Sequence, residues 1–358
     1  MRLLLSAYTG LGNFILKSPM IRKIKELWPD AEIDLIAGKG YGAEYVLEKS
    51  GWIKEIHLLK TDASLIAKMR FFWSLRQRKF DAVFLPFDAA PKYFILGATL
   101  IRGVKYCHIN LKANNAIKHK MWNVFCLFSL PKFCFVPVLP GRHETDLNYD
   151  LLEAYYGRPM ERTYQTFITN KGLPDDIARF KLEPKRYIVV QPTAGNGSLT
   201  AKVWAPRNFV KVVGLLARRY PELKVVFVGD QGDLDSIKRT NLVDVQDVVN
   251  TMGKTTIGEL ASIINHAVLV IAHDSGVMHI ANSLQVKLIA LFGPTDYTRT
   301  RPLAKSSHIL FSRNDCLAAH YEPYISESDL AVKCPDYACM GGITVEDVMG
   351  EVKKLLGS

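Results

Sequence analysis

Hydrophobic residues in this chain come in short unbroken runs rather than in alternation. In the first half the runs are RLLLSA, EIDLIAG, EIHLL and DAVFLPF; in the second they are YIVVQPTAG, KVVFVGD, VLVIAHDSG and KLIALFGPTD. Continuous runs of this length read as strands buried on both faces, as in a parallel sheet. Between them lie segments with apolar residues three and four apart, the period of a helix. PMIRKIKELWPD begins near Pro19 and stops before Pro29, and APRNFVKVVGLLARRY and TTIGELASIINHA follow in the second half. Thr256 and Glu259 open the last of these as a capping box. Alternation of strand and helix predicts an α/β fold with helices on both faces of each sheet. The pattern stops at the polar stretch ERTYQTFITNKGLPDDIARFKLEPKR and then restarts. We therefore expect two doubly wound, Rossmann-like domains, residues 1–170 and 171–358, facing one another across a cleft. The last helix, TVEDVMGEVKKLLGS, is free to lie against either.

Length agrees with two domains, since 358 residues exceed what one core usually holds. No segment approaches the roughly 20 apolar residues of a membrane-spanning helix. MRLLLSAYTGLGN is too short in its apolar part for a signal peptide and lacks a cleavage site before KSPMIRKIKE, so a cytoplasmic protein is expected. Its six cysteines then read as thiols. Cys316, Cys334 and Cys339, with His320 nearby, match no zinc spacing. Charge is uneven: residues 1–170 hold 24 Lys and Arg against 15 Asp and Glu, and the other 188 hold 22 against 20. From Asp88 to Glu144 no acid intervenes, while Lys92, Arg102, Lys105, Lys112, Lys118, Lys120, Lys132 and Arg142 surround the aromatic MWNVFCLFSLPKFCFVPVLP. Basic and aromatic residues together suit anionic lipid headgroups. They also describe a buried helix ringed by solvated lysines. Nucleic acid is set aside for want of any recognised motif.

Three strand-end loops carry the candidate chemistry. TGLGN, Thr9 to Asn13, has Gly10 and Gly12, but Ile15 stands where a dinucleotide fingerprint needs its third glycine, so an oxidoreductase is not expected. QPTAGNGSLTAKVWAP offers small residues and hydroxyls from Thr193 to Ser198, then Lys202; it suits a phosphate although it is not a Walker motif. In IAHDSGVMHIANS a strand gives way to a helix at Asp274-Ser275-Gly276. The first amides of that helix and its dipole form an anion site, Ser275 adds a hydroxyl, and Gly276 permits close approach. Asp274 is expected as the helix N-cap, or as an acceptor for a hydroxyl or for His279. With Gly293-Pro294-Thr295-Asp296 at the next strand end, these loops predict one diphosphate-binding site.

The segment HDSGVMHIANSLQVKLIALFGPTD resembles the long motif of glycosyltransferase family 9, the ADP-heptose:lipopolysaccharide heptosyltransferases, with Lys287 where proline is usual. AKVWAP, HETDLNYDLL, CMGGITVEDV and the N-terminal GLGNFILKSPMIRKIKE are similar to other family segments. The resemblance implies a GT-B fold with an N-terminal acceptor domain and a C-terminal donor domain. It implies an inverting transferase that needs no metal or other cofactor, an ADP-sugar donor, an anionic glycolipid acceptor, and work at the cytoplasmic face of the inner membrane. By position, Ser275 and Gly276 amides and Lys202 would hold the donor phosphates, Thr193 and Asp274 would line the site, and His279 would lie beside the donor. Met252 to Thr256 would cradle the adenine. Gly12, Asn13, Lys92, His143 and Glu144 would face the acceptor. Asn13 departs from the family, where an aspartate acts as base; Asp88 is the preferred substitute, and Glu144 and Asp146 are others. Two alternatives stay open: another sugar or acceptor on the same fold, or nucleotide-sugar binding without turnover.

Overall fold

The computed structural model describes residues 1–39, 42–47, 50–89, 92–109, 132–139, 141–195, 202–238, 240, 242, 245, 248–312 and 338–357. They form two compact units, Met1–Thr169 and Asn170–Ser358.

In unit 1 the strands are β1 (Arg2–Ala7), β2 (Glu32–Gly38), β3 (Ile53–Leu59), β4 (Ala82–Leu85), β5 (Val104–Ile109) and β6 (Phe133–Pro137). They make one parallel sheet in the order β3-β2-β1-β4-β5-β6. The described helices are α1 (Leu11–Ile15), α2 (Ser18–Leu27), α3 (Ala43–Val46), α4 (Leu65–Ser74), α5 (Lys92–Ala98) and α6 (Glu144–Tyr156). α2 carries Pro19 in its first turn, where the missing N–H costs nothing, and buries Met20, Ile21 and Ile24. Its close is local: Lys25 Nζ donates to the carbonyls of Pro29 and Ala31 at 2.6 and 2.8 Å.

Unit 2 repeats the plan with β7 (Tyr187–Val190), β8 (Lys224–Phe227), β9 (Val248–Asn250), β10 (Leu269–His273), β11 (Leu288–Phe292) and β12 (Ser307–Phe311), parallel in the order β12-β11-β10-β7-β8-β9. Its helices are α7 (Pro206–Arg219), α8 (Gln231–Ile237), α9 (Ile257–His266), α10 (Gly276–Ser283), α11 (Tyr297–Thr300), α12 (Ala338–Gly341) and α13 (Val345–Leu356). The expected capping box is present: Thr256 Oγ1 accepts from Glu259 N, and the Glu259 carboxylate accepts from Thr256 N at 2.7 Å. α13 places Val345, Val348 and Val352 in the core of unit 2, against α7 and the strands β10 to β12.

All eight expected strands form. Sequence reading missed β5, β6, β9 and β12, and β5 and β6 correct part of the basic aromatic reading. Lys105 is 2% exposed inside β5, not a surface cation. Its Nζ donates to the carbonyls of Ile101 and Gly103 at 2.7 and 2.8 Å, and burial lowers its pKa to about 8. Arg142 is engaged as well, 3.0 Å from Asp150. Residues 110–131 of that stretch lie outside the described residues, as do Cys316, His320 and Cys334. Cys107, Cys134 and Cys339 are free thiols. Among the described residues no helix is long and apolar enough to cross a membrane.

In each unit the first strand made is central, with the second on one side and a later strand on the other. Strand order thus reverses between β1 and β4, and again between β7 and β10. In open α/β sheets the loops leaving the carboxyl ends of such a pair splay apart, and the crevice between them is where ligands bind.

Candidate functional site

At the β7/β10 reversal the loop after β7 carries Gln191 and Thr193, and the loop after β10 carries Asp274, Ser275 and Gly276. Backbone pairing continues past the strand, with Gln191 N donating to Ile271 O at 2.9 Å. Ser275, not Asp274, is the N-cap of α10: it is extended at φ −153° and ψ 175° while Gly276 begins the helix. This corrects the expected cap. The reason is geometric, because β10 ends at His273 and two residues suffice to turn the chain into the helix. A serine in this place ordinarily bonds the amides one turn on. Here no side chain caps the helix; Ser275 Oγ instead donates to Gln191 Oε1 at 2.5 Å. The first amides of α10 have no intrahelical acceptor by construction, and nothing on their own cap residue satisfies them. They stand where the sequence reading expects an anion site, at the start of a helix whose own cap has been turned aside.

His273, absent from the predicted set, organises the neighbouring loop. It is fully buried; its Nε2 lies 2.9 Å from Trp204 N and its Nδ1 2.7 Å from Thr193 O. Trp204 N–H can only donate, so Nε2 accepts and the proton sits on Nδ1, donating to the Thr193 carbonyl. Both bonds need a neutral ring. Burial lowers the imidazole pKa to about 4, against the opposing pull of Thr193 O and the Asp274 charge. Trp204 is itself fully buried, donates from Nε1 to Ile343 O at 2.8 Å, and packs edge-on with Phe209. The loop that carries Thr193 at one end and Lys202 at the other is thereby fastened at both ends to β10. Gly195, at φ +85°, supplies the left-handed residue that turns the loop; residues 196–201 lie outside the described residues.

Two hydroxyls at these strand ends, Thr193 Oγ1 and Thr295 Oγ1, are buried without a hydrogen-bond partner among the described residues. Such atoms are rare in folded proteins and are expected where a ligand supplies the partner. His279 lies one turn into α10, 2% exposed, with Nε2 3.9 Å from Asp274 Oδ1. Asp296, beyond β11, caps α11 by accepting from Thr298 N at 2.9 Å. The segment 252–256 leaves the end of β9, but the Met252 side chain is wholly buried in the core of unit 2 and the Thr256 hydroxyl caps α9. What this segment offers a ligand is backbone.

At the β1/β4 reversal in unit 1, Gly12 and Asn13 fall in α1 and Asp88 follows β4. Asn13 Nδ2 donates to Thr9 Oγ1 at 3.2 Å. Lys17, which sequence reading passed over, joins the two loops: its Nζ is 2.5 Å from Asp88 Oδ2 and 3.4 Å from Asn13 O. Lys17 and Asp88 are nearly inaccessible, with side chains 0% and 4% exposed. His143 caps α6, its Nδ1 accepting from Thr145 N at 3.2 Å, and Glu144 is buried beside it. Thr145 Oγ1 donates to Leu16 O at 3.3 Å, which brings the start of α6 to the end of α1. Asn13, Lys17, Asp88, His143 and Glu144 thus gather around one sheet reversal. Lys92 begins α5.

Toward the amino ends of β1 to β3 lies a different cluster, Asp34, Glu55 and His57, the only group of possible metal ligands among the described residues. Arg2 and His57 each stand 2.8 Å from Asp34, and Arg78 pairs with Glu55, so arginines already hold its carboxylates.

Residues 135–326 match the family described as glycosyltransferase family 9 (heptosyltransferase). The chain is 25% identical to lipopolysaccharide heptosyltransferase 3 of Escherichia coli K12 over 362 residues, covering 96% of this chain and 95% of that protein. Its fold is similar to that of the family 9 glycosyl transferase from Veillonella parvula, with a TM-score of 0.76 at 20% identity, covering 99% and 97% of the two chains. It is also similar to the E. coli heptosyltransferase WaaC, solved with ADP, with a TM-score of 0.70 at 15% identity and coverage of 99% and 100%. The chain therefore belongs to glycosyltransferase family 9, the heptosyltransferase family, and is a glycosyltransferase of GT-B fold.

Proposed function

We propose that this protein transfers a heptose from ADP-heptose to a lipopolysaccharide core acceptor, inverting the anomeric carbon and using no metal in the transfer. The observation that carries the reading is the N-terminus of α10, left uncapped because Ser275 bonds Gln191. It is supported by the relatives: lipopolysaccharide heptosyltransferase 3 of E. coli is similar over nearly the whole chain, and WaaC was solved with ADP.

Unit 2 binds the donor. As the bond from sugar to phosphate breaks, the ADP leaving group gains negative charge. The Ser275 and Gly276 amides, the positive end of the α10 dipole and the Lys202 ammonium stabilise that charge, the part a divalent ion would otherwise play. The Thr193 hydroxyl has a phosphate oxygen as its missing partner, His279 and Asp274 flank the sugar, and the backbone of Met252 to Thr256 receives the adenine. In unit 1, Gly12, Asn13, Lys92, His143 and Glu144 contact the glycolipid. Asn13 cannot accept a proton, so it orients the acceptor hydroxyl while Asp88 takes the proton, its charge balanced by Lys17. The acceptor hydroxyl attacks from the face opposite the leaving ADP, which inverts the centre. The enzyme works at the cytoplasmic face of the inner membrane.

The test is ADP release from ADP-heptose, with and without a deacylated core glycolipid, in the wild type and in Asp88→Asn. Acceptor-dependent release that disappears in the variant is expected. ADP binding without release would replace this reading with another donor sugar or acceptor, or with a binding protein that has lost the reaction.

A further inference from the structure

Four large hydrophobic side chains among the described residues are more than half exposed, and three of them, Leu65 (58%), Ile66 (67%) and Trp73 (57%), belong to α4. The helix has an ordinary inner side: Phe72 is fully buried, and Leu75, just past its end, is 2% exposed in the core of unit 1. Its outer side is the unusual one. Ile66, Arg70 and Trp73 follow one another at helical spacing, all exposed, with Leu65 beside them.

The charges around this face have one sign. From residue 63 to residue 80 there are five cations, Lys68, Arg70, Arg76, Arg78 and Lys79, and no acid. Arg78 is neutralised by Glu55. Lys68 is anchored by Thr61 O at 3.1 Å and rests over the Tyr93 ring. The Arg76 guanidinium lies 5.0 Å from the centre of the Trp73 ring. Arg70 and Lys79 are exposed. A protein interface would concentrate apolar residues at its centre and keep charge at its rim. Here an arginine, Arg70, sits between two exposed apolar residues, Ile66 and Trp73. That arrangement fits a plane where hydrocarbon and charged headgroups meet, with long basic side chains reaching back to the phosphates and tryptophan at the boundary.

We infer that α4 is a membrane-docking helix: Leu65, Ile66 and Trp73 enter the outer part of an anionic phospholipid bilayer while Arg70, Arg76 and Lys79 pair with its headgroups. The inference rests on the reading above for its setting, since a transferase acting on a lipid-borne glycan must meet the bilayer, and it assigns the contact to residues other than those proposed for transfer.

The experiment is co-sedimentation of the full chain with vesicles of phosphatidylglycerol and phosphatidylethanolamine, against vesicles of phosphatidylcholine alone. Binding to the anionic vesicles only, weakening as salt is raised, is expected. Ile66→Glu is expected to reduce the partition coefficient at least tenfold and Arg70→Glu to flatten the salt dependence. Trp73→Phe keeps a ring in place and serves as a folded control: with brominated acyl chains it should lose much of the tryptophan quenching seen in the wild type while still binding. No binding by the wild type, equal binding by Ile66→Glu, or quenching unchanged in Trp73→Phe would each overturn the assignment. Transfer to the deacylated, soluble acceptor is measured on the same proteins and should be unaffected by Ile66→Glu. Absence of transfer in all of them, with vesicle binding still lost in Ile66→Glu, would refute the proposed reaction and leave the docking helix standing.

Discussion

The buried imidazole of His273 gives unit 2 a dependence on pH that can be calculated and then removed by one substitution. Its pKa falls from the ordinary 6.5 to about 4 on folding, chiefly through burial. The unfolded chain therefore takes up a proton in that window that the folded chain refuses. Stability from this group is complete above pH 6.5, declines as the pH falls through the window, and levels off below pH 4. Between about pH 7.5 and about pH 5 the loss is on the order of 2 kcal/mol. Other groups also titrate in acid, so the difference between two proteins is what isolates it. His273→Gln keeps a polar group but cannot titrate. It should be less stable than the wild type at neutral pH by about 2–4 kcal/mol, since the Trp204 amide and the Thr193 carbonyl are then poorly matched. Its stability should also change less on acidification, by the same 2 kcal/mol or so. Hydrogen exchange of peptides spanning 187–193 and 269–273, followed in urea at both pH values, reads unit 2 without interference from unit 1. Parallel pH profiles for wild type and variant would show that His273 does not stay neutral in the fold, and the tautomer assigned here would be wrong.

Lys202→Ala should lower kcat/KM for ADP-heptose at least tenfold, measured by ADP release; an unchanged value would remove the lysine from the donor site. Lys17→Met leaves the Asp88 carboxylate buried without its ammonium and should cost about 3–5 kcal/mol in urea unfolding, much of which the double variant Lys17→Met with Asp88→Asn should restore; additive losses would mean the pair is not coupled. The same double variant should remain without transfer, which separates the stability of the pair from its chemistry. Gly97→Ala directs a methyl group into the Phe72 ring, so a loss of about 1–3 kcal/mol is expected in unit 1; a neutral change by thermal denaturation would mean that α4 yields readily.

Apart from the edge strand β3, read from EIHLL, the strands legible in the sequence are inner ones, whose burial on both faces leaves an uninterrupted apolar run. Those missed lie toward the outside of each sheet. β6, β9 and β12 are edge strands, and β5 is their neighbour in sheet one. Only one side of an edge strand meets another strand, so its composition is mixed. β5 carries Lys105 and His108, β6 ends in Pro137, β9 is three residues long, and β12 contains His308. The turn at Asp274-Ser275-Gly276 was legible because strand, small residues and helix are contiguous in the chain. The partners that define its chemistry were not. Gln191 lies 84 residues before Ser275, and Lys17 lies 71 residues before Asp88. Each pair depends on which strands become neighbours, and strand order is set by packing, not by any local pattern. His273 was hidden differently: a histidine at a strand end gives no sign of which ring nitrogen it will protonate until the amide facing it is known.

The central position of β1 and β7 also governs how the chain can be assembled during synthesis. Each sheet is built outward from its first strand, so later strands add to an existing edge and none has to be threaded between two others. One edge of each founding strand must wait, however. From Ala7 to the start of β4 at Ala82 is 75 residues, and from Val190 to the start of β10 at Leu269 is 79. At a translation rate of roughly 5–20 residues per second, those edges stay open for roughly 4–16 s. During that interval a largely apolar strand, LLLSA in one case and YIVV in the other, has an unpaired side on offer to any passing strand. The same arrangement that places each reversal at a candidate binding loop makes it the seam that waits longest for its second strand.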